Sequence, residues 1–131
     1  MATYSALYIP ADIFEEMETV ELERGLQPIY TKLEVNLIEP LFTGNPDIRI
    51  IADEEGRHLA EPQPNERAAA VQIDQLLRAG YSITPASVPF VYGNVLITGG
   101  FDEEGNTQSL SQKDEEYIRN YIREITTDSD E

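Results

Sequence analysis

The chain of 131 residues carries 25 acidic and 9 basic side chains, for a net charge of −16, with 40% apolar residues, one histidine and no cysteine. That size and apolar content suit one domain with a core of its own rather than disorder. The absence of cysteine excludes disulfides and thiolate chemistry, and a lone His58 excludes a multi-histidine metal site within one chain.

In chain order, residues 4–9 are β-prone and stop at Pro10, which cannot donate to a ladder. Residues 12–23 hold six acids and no base. Within them Val20 and Leu22 alternate with Thr19, Glu21 and Glu23, the pattern of a strand with one wet face. A hairpin over residues 4–23 is expected, its loop near 10–16. Leu26, Ile29, Tyr30 and Leu33 share one helical face, so a helix is expected from about 24–26 to 34, with Pro28 in its first turn. Residues 35–39 and 48–51 read as two strands about a turn at 43–47, and Pro40 places the first of them at an edge or a bulge.

A stiff polar connector, Glu61-Pro62-Gln63-Pro64, leads to Asn65, a suitable N-cap. The helix after it carries the apolar stripe Ala69, Ile73, Leu76 and Leu77 and stops at Gly80. Residues 81–91 read as loop and 91–98 as a buried strand, with Gly93 marking a bulge or a close backbone approach. In the last helix Ser111 and Asp114 approximate a capping box, followed by the stripe Tyr117, Ile118, Tyr121, Ile122 and Ile125. The expected fold is α+β: a mainly antiparallel sheet of five to six strands with about three helices on one face. Residues 1–125 form the domain and 126–131 a disordered acidic tail.

The segment Ala6-Leu7-Tyr8-Ile9-Pro10-Ala11-Asp12, the Gly25-Leu26-Gln27 helix with its following strand, and above all Tyr92-Gly93-Asn94-Val95-Leu96-Ile97-Thr98-Gly99 with Asp102-Glu103-Glu104-Gly105 and Ser109-Leu110-Ser111 carry a resemblance. Over most of residues 5–125 the chain resembles a domain-of-unknown-function family of the DUF3846 type, met in phage and plasmid gene sets. The resemblance implies a mobile-element setting, which favours small accessory or host-directed proteins over metabolic enzymes. It brings no catalytic residues with it.

The residues themselves give little catalytic chemistry. With 25 acids, some carboxylate pair falls at almost any separation, so glycosidase-type pairing carries no signal. A Ser-His-Asp arrangement would have to use His58, which reads as exposed or structural. The run from Asp102 offers oxygen ligands, but an EF-hand needs Gly and Glu where Thr107 and Lys113 stand. Gly99-Gly100 lacks the Lys-Ser or Lys-Thr of a phosphate loop. No catalytic residue, metal ligand or cofactor is assigned.

What remains is the acidity. Phosphate contacts need clustered Lys and Arg, so direct nucleic-acid binding is disfavoured. The apolar runs are too short to cross a membrane and the first residues lack the features of a secretory signal, so a cytoplasmic location is expected. The expected function is non-enzymatic: an acidic accessory protein that binds a basic protein surface, such as a nucleic-acid-binding protein, as an anti-defence or host-regulatory decoy. The residues assigned to partner binding are Asp12, Glu15, Glu16, Glu21 and Glu23, with Asp102, Glu103 and Glu104. The alternative is a small binding or assembly module whose acidity serves only solubility or salt adaptation.

Overall fold

The computed structural model describes residues 3–84, 86–87 and 89–129. Its elements are β1 (Thr3–Ile9), β2 (Glu18–Glu23), α1 (Gln27–Leu33), β3 (Ile38–Leu41), β4 (Arg49–Asp53), a 3-10 turn (Gly56–His58), α2 (Glu66–Arg78), β5 (Val95–Thr98) and α3 (Gln112–Ser129). The five strands form one sheet in the order β2-β1-β5-β4-β3, and every neighbouring pair is antiparallel. The expected α+β architecture is present. Pro40 lies in β3, an edge strand, where a missing N–H costs the ladder least.

The first hairpin pairs Tyr4 with Leu22, Ala6 with Val20 and Tyr8 with Glu18. Directly opposed residues point to the same face, so Val20 and Leu22 join Tyr4, Ala6 and Tyr8. Thr19, Glu21 and Glu23 lie on the other face, with Leu7 and Ile9.

Both faces of the sheet are covered, which corrects the expectation of helices on one face. Leu7, Ile9, Ile50, Ala52, Val95 and Ile97 pack against Ala68 and Val71 of α2 and Ile118 and Ile122 of α3. Tyr4, Ala6, Tyr8, Ile51 and Leu96 pack against Ile29 and Leu33 of α1 on the opposite side. The physical reason lies in the strands. Ala6-Leu7-Tyr8-Ile9, Ile50-Ile51-Ala52 and Val95-Leu96-Ile97 are apolar at consecutive positions, the pattern of strands buried on both faces.

Three local expectations shift. The strand expected at 35–39 is β3 at Ile38–Leu41, because Glu34 takes the left-handed conformation (φ 59°) and the Val35 N–H donates to Tyr30 O, closing α1. The strand expected at 91–98 is β5 at Val95–Thr98; Tyr92 instead bridges Pro64 of the connector. On α2 the buried face is Ala68, Val71, Gln72, Gln75 and Leu76, while Leu77 is half exposed. Two glutamines belong to this face because they hold the β3–β4 loop. Gln72 Nε2 donates to Phe42 O (3.0 Å), and Gln75 Oε1 accepts from Asn45 Nδ2 (3.0 Å).

Asn65 caps α2 as expected: its Oδ1 accepts from the Ala68 N–H at 3.0 Å. Ser111 Oγ likewise accepts from the Asp114 N–H at 3.0 Å at the start of α3. The segment expected as a tail, 126–131, is helical through Ser129, and residues 130 and 131 lie outside the described residues. Gly99 and Gly100 follow β5 where two other backbones close in. A Cβ on Gly99 would collide with the Ser109 carbonyl oxygen, and one on Gly100 with that of Pro46. Among the described residues, no helix is long and apolar enough to cross a membrane.

Candidate protein-binding surface

The eight acidic residues singled out from the sequence fall at two ends of the β1–β2 hairpin. Asp12, Glu15 and Glu16 lie in the β1–β2 loop, all exposed. Glu23 lies at the far end of β2, opposite Thr3. Five residue steps separate it from Glu18, about 17 Å of strand. Asp102, Glu103 and Glu104 belong to the turn after β5, on Glu23's side: Arg24, next in the chain, lines the same small cavity as Gly105 and Asn106. Glu21 stands between the two groups, on the same face of β2 as Glu23.

Local chemistry differs among these acids. Glu21 accepts hydrogen bonds from the hydroxyls of Thr3 (3.2 Å) and Ser5, which fix its carboxylate against β1. Glu18, on the opposite face, pairs with Lys32 of α1 at 3.4 Å. The β1–β2 loop is held by Arg67, whose Nη2 donates to the carbonyls of Pro10 (2.8 Å) and Asp12 (2.9 Å). Asp12 Oδ1 in turn accepts from the Phe14 N–H. Asp102 accepts from the backbone N–H groups of Asn106 (2.8 Å) and Glu104 (2.9 Å). These bonds, that of Asn106 first, hold its carboxyl below its ordinary range. Asp53 accepts from the Glu55 N–H in the same way. Both Asp-Glu-Glu-Gly strings therefore form aspartate-nucleated turns.

Because β2 is an edge strand, its outer backbone groups have no ladder partner among the described residues. Glu18, Glu21 and Glu23 are exposed on alternate faces of this edge strand, Glu21 bonded to β1 and Glu18 to Lys32 of α1.

Two concave surfaces had no counterpart in the sequence reading. One is a groove of about 610 Å³ beneath the β1–β2 loop, with an apolar floor from Ile122 and Ile125 and arginines at 67, 119 and 123. Arg67 is partly buried, which lowers its pKa, and its Nε has no hydrogen-bond partner. Arg119 is held by Glu115 at 3.1 Å and by Thr19. The other is an open cleft of about 760 Å³ beside β3 and β4. There Phe42 and Tyr81 meet edge to face at 5.3 Å, and the Arg49 guanidinium lies 3.9 Å over the Phe101 ring. Burial lowers the Arg49 pKa, and among the described residues no carboxylate pairs with it. Each surface joins segments far apart in the chain, so no local spacing signals it.

The remaining candidates are structural or solvent-facing. His58 is exposed at the end of the 3-10 turn. Tyr92-Gly93-Asn94 ties the connector to β1: the Gly93 N–H donates to Gln63 O at 2.8 Å and Asn94 Oδ1 accepts from the Ala11 N–H at 3.0 Å. Gly93 is required there by its positive φ of 80° rather than by crowding. Among the described residues, no group of three or more His, Asp or Glu side chains is placed to hold a metal ion.

The sequence model of the family described as "Domain of unknown function (DUF3846)" matches residues 5–124. Neither a curated protein nor a solved structure matches the chain.

Proposed function

The chain belongs to the DUF3846 family, and we propose that it is a non-enzymatic accessory protein of mobile elements, phage or plasmid, which acts in the cytoplasm by binding a basic protein surface. The observation that carries this reading is the open acidic edge of β2. An unpaired edge offers backbone N–H and C=O groups to an incoming extended segment, which would join as a sixth strand. Carboxylates on alternate faces of that edge, Glu21 and Glu23 on one and Glu18 on the other, select for basic side chains on the incomer. The net charge of −16 adds long-range attraction that speeds encounter with a basic partner. A protein that normally grips nucleic acid has such a surface, which makes a decoy the sharp form of the proposal. The acids of the β1–β2 loop and of the 102–104 turn extend the field beyond both ends of β2.

The second reading, a binding or assembly module whose acidity serves only solubility, is favoured by the apolar side chains of Ile13 and Phe14 standing in solvent. Affinity capture from the source cell, washed at two salt concentrations, separates the two. A basic partner lost at high salt supports the first; a partner retained at high salt supports the second. Changing Glu15, Glu16, Glu21 and Glu23 to Gln then removes four charges at constant size. Association with the captured partner should slow and lose much of its salt dependence. Equal association rates for both proteins at low salt would remove the hairpin acids from the interface.

A further inference from the structure

We infer that the groove beneath the β1–β2 loop receives the same loop from a second copy of this chain, so that two copies exchange contacts about a two-fold axis. The inference is independent of the β2 edge.

The groove's chemistry runs against that of the molecule. The chain has 25 acids and seven arginines, yet three of those arginines, Arg67, Arg119 and Arg123, gather around this one apolar floor. Among the described residues lining it Glu66 is the only acid, and Asp12 and Glu15 of the loop lie near enough to act on Arg67. A site of this kind fits a segment that carries a large apolar side chain between carboxylates. Arginine suits such a partner, because its planar fork matches a carboxylate.

The chain itself presents that segment at the groove's lip. Asp12-Ile13-Phe14-Glu15-Glu16 places an aromatic ring among three acids, and Phe14 is 91% exposed. The loop is fixed in this pose. The Glu15 N–H donates to Asp12 O, the Phe14 N–H to Asp12 Oδ1, and Arg67 holds the carbonyls of Pro10 and Asp12. The pinned loop forms one wall of the groove through Ile13, Phe14 and Met17 and leaves Phe14 exposed at the rim. It can offer Phe14 to another molecule with little ordering cost.

A patch that holds both the protruding group and its receptor is self-complementary, the requirement for an isologous dimer. Phe14 of each copy then rests on Ile122 and Ile125 of the other. Arg123 is placed to meet the incoming Glu15 and Glu16, because among the described residues its side chain bonds only Asn120, at 3.1 Å. Net repulsion between two copies of charge −16 opposes association at low salt. Dimerisation should therefore strengthen as salt rises to about 0.15 M, where the Debye length is near 8 Å.

Sedimentation velocity of the full chain, over a wide range of protein concentration, tests this. The wild type should shift from monomer to dimer, and Phe14→Ser should remain monomeric, with the wild-type melting temperature at concentrations where the wild type is itself monomeric, since its side chain stands in solvent there. A loop variant, Glu15→Lys with Glu16→Lys, and a groove variant, Arg123→Glu, should each be monomeric alone. Mixed together they should form a heterodimer, because both exchanged contacts then pair opposite charges. A wild type that stays monomeric throughout overturns the inference, even if a peptide of residues 11–17 binds the groove. A dimer that survives Phe14→Ser, or variants that fail to associate on mixing, overturns it equally.

Discussion

Replacing Asn65 by Asp separates two accounts of what that residue does. As a helix N-cap, Asn and Asp are interchangeable, and the change should cost nothing. The structure gives Asn65 a second task. It is 1% exposed, and while Oδ1 accepts from the Ala68 N–H, Nδ2 donates to the carbonyls of Ile9 (3.0 Å) and Gly93 (2.9 Å). One side chain thus ties the start of α2 to the end of β1 and to the turn before β5. The Ala68 N–H can only donate, so the amide orientation is fixed and Nδ2 must face the two carbonyls. In Asn65→Asp an ionised oxygen replaces Nδ2 and meets two carbonyl oxygens without a proton to share. Each orphaned carbonyl costs about 1–3 kcal/mol, and removal of the cap about 1 kcal/mol more. Asn65→Ala should therefore lose about 3–7 kcal/mol, out of a total stability that for such domains is about 5–15 kcal/mol. Asn65→Asp should lose at least as much despite keeping the cap. Urea denaturation followed by far-ultraviolet circular dichroism measures both. An Asn65→Asp protein as stable as wild type, with Asn65→Ala losing only about 1 kcal/mol, would reduce the residue to a simple cap and refute the reasoning.

Gly100→Ala should destabilise by about 1–3 kcal/mol, because its Cβ meets the Pro46 carbonyl, a backbone atom that cannot swing aside; a neutral result in the same denaturation assay would contradict the close packing after β5. Asp102 has a pKa lowered from 3.8 in the folded state, so its contribution to stability is present above that value and disappears as the pH falls through the folded pKa. Wild type should accordingly exceed Asp102→Asn in melting temperature at neutral pH, and the difference should shrink as the pH falls below 3.8 and through the lowered folded pKa; a difference independent of pH would remove the charge from the explanation. Self-repulsion at a net charge of −16 predicts a melting temperature that rises between low salt and about 0.5 M NaCl. A flat or falling midpoint would show that local ion pairs outweigh the repulsion.

The parts of the fold written in short-range chemistry were legible in the sequence. Ser111 announced α3, Asn65 announced α2, and the alternation of Thr19 to Glu23 set the faces of β2. Pro40 marked an edge strand because one missing N–H is a local fact. The parts set by tertiary context were less visible. The stripe read on α2 missed Gln72 and Gln75, whose burial depends on a loop some 30 residues earlier. The opposite-face position of α1 was present in the consecutive apolar residues of β1, β4 and β5, which outweigh the alternation seen in β2 alone. The arginine-lined groove was invisible to any window, since Phe14, Arg67 and Arg123 meet only when the hairpin loop, α2 and α3 come together. For the acidic run the sequence supplied the residues and the structure their distribution, with Glu21 held by Thr3 and Ser5 and Glu18 by Lys32.

The central claim is that β2 is where a basic partner docks. Hydrogen exchange of the backbone amides, compared between the free chain and its complex with the captured partner, addresses it residue by residue. The outward-facing amides of Glu18–Glu23 have no ladder partner among the described residues and should exchange rapidly in the free chain. On binding they should become protected, with smaller changes in the β1–β2 loop and at 102–104 and none in β3. Protection confined to β3, or to the cleft of Phe42 and Tyr81, with β2 unchanged, would contradict the account.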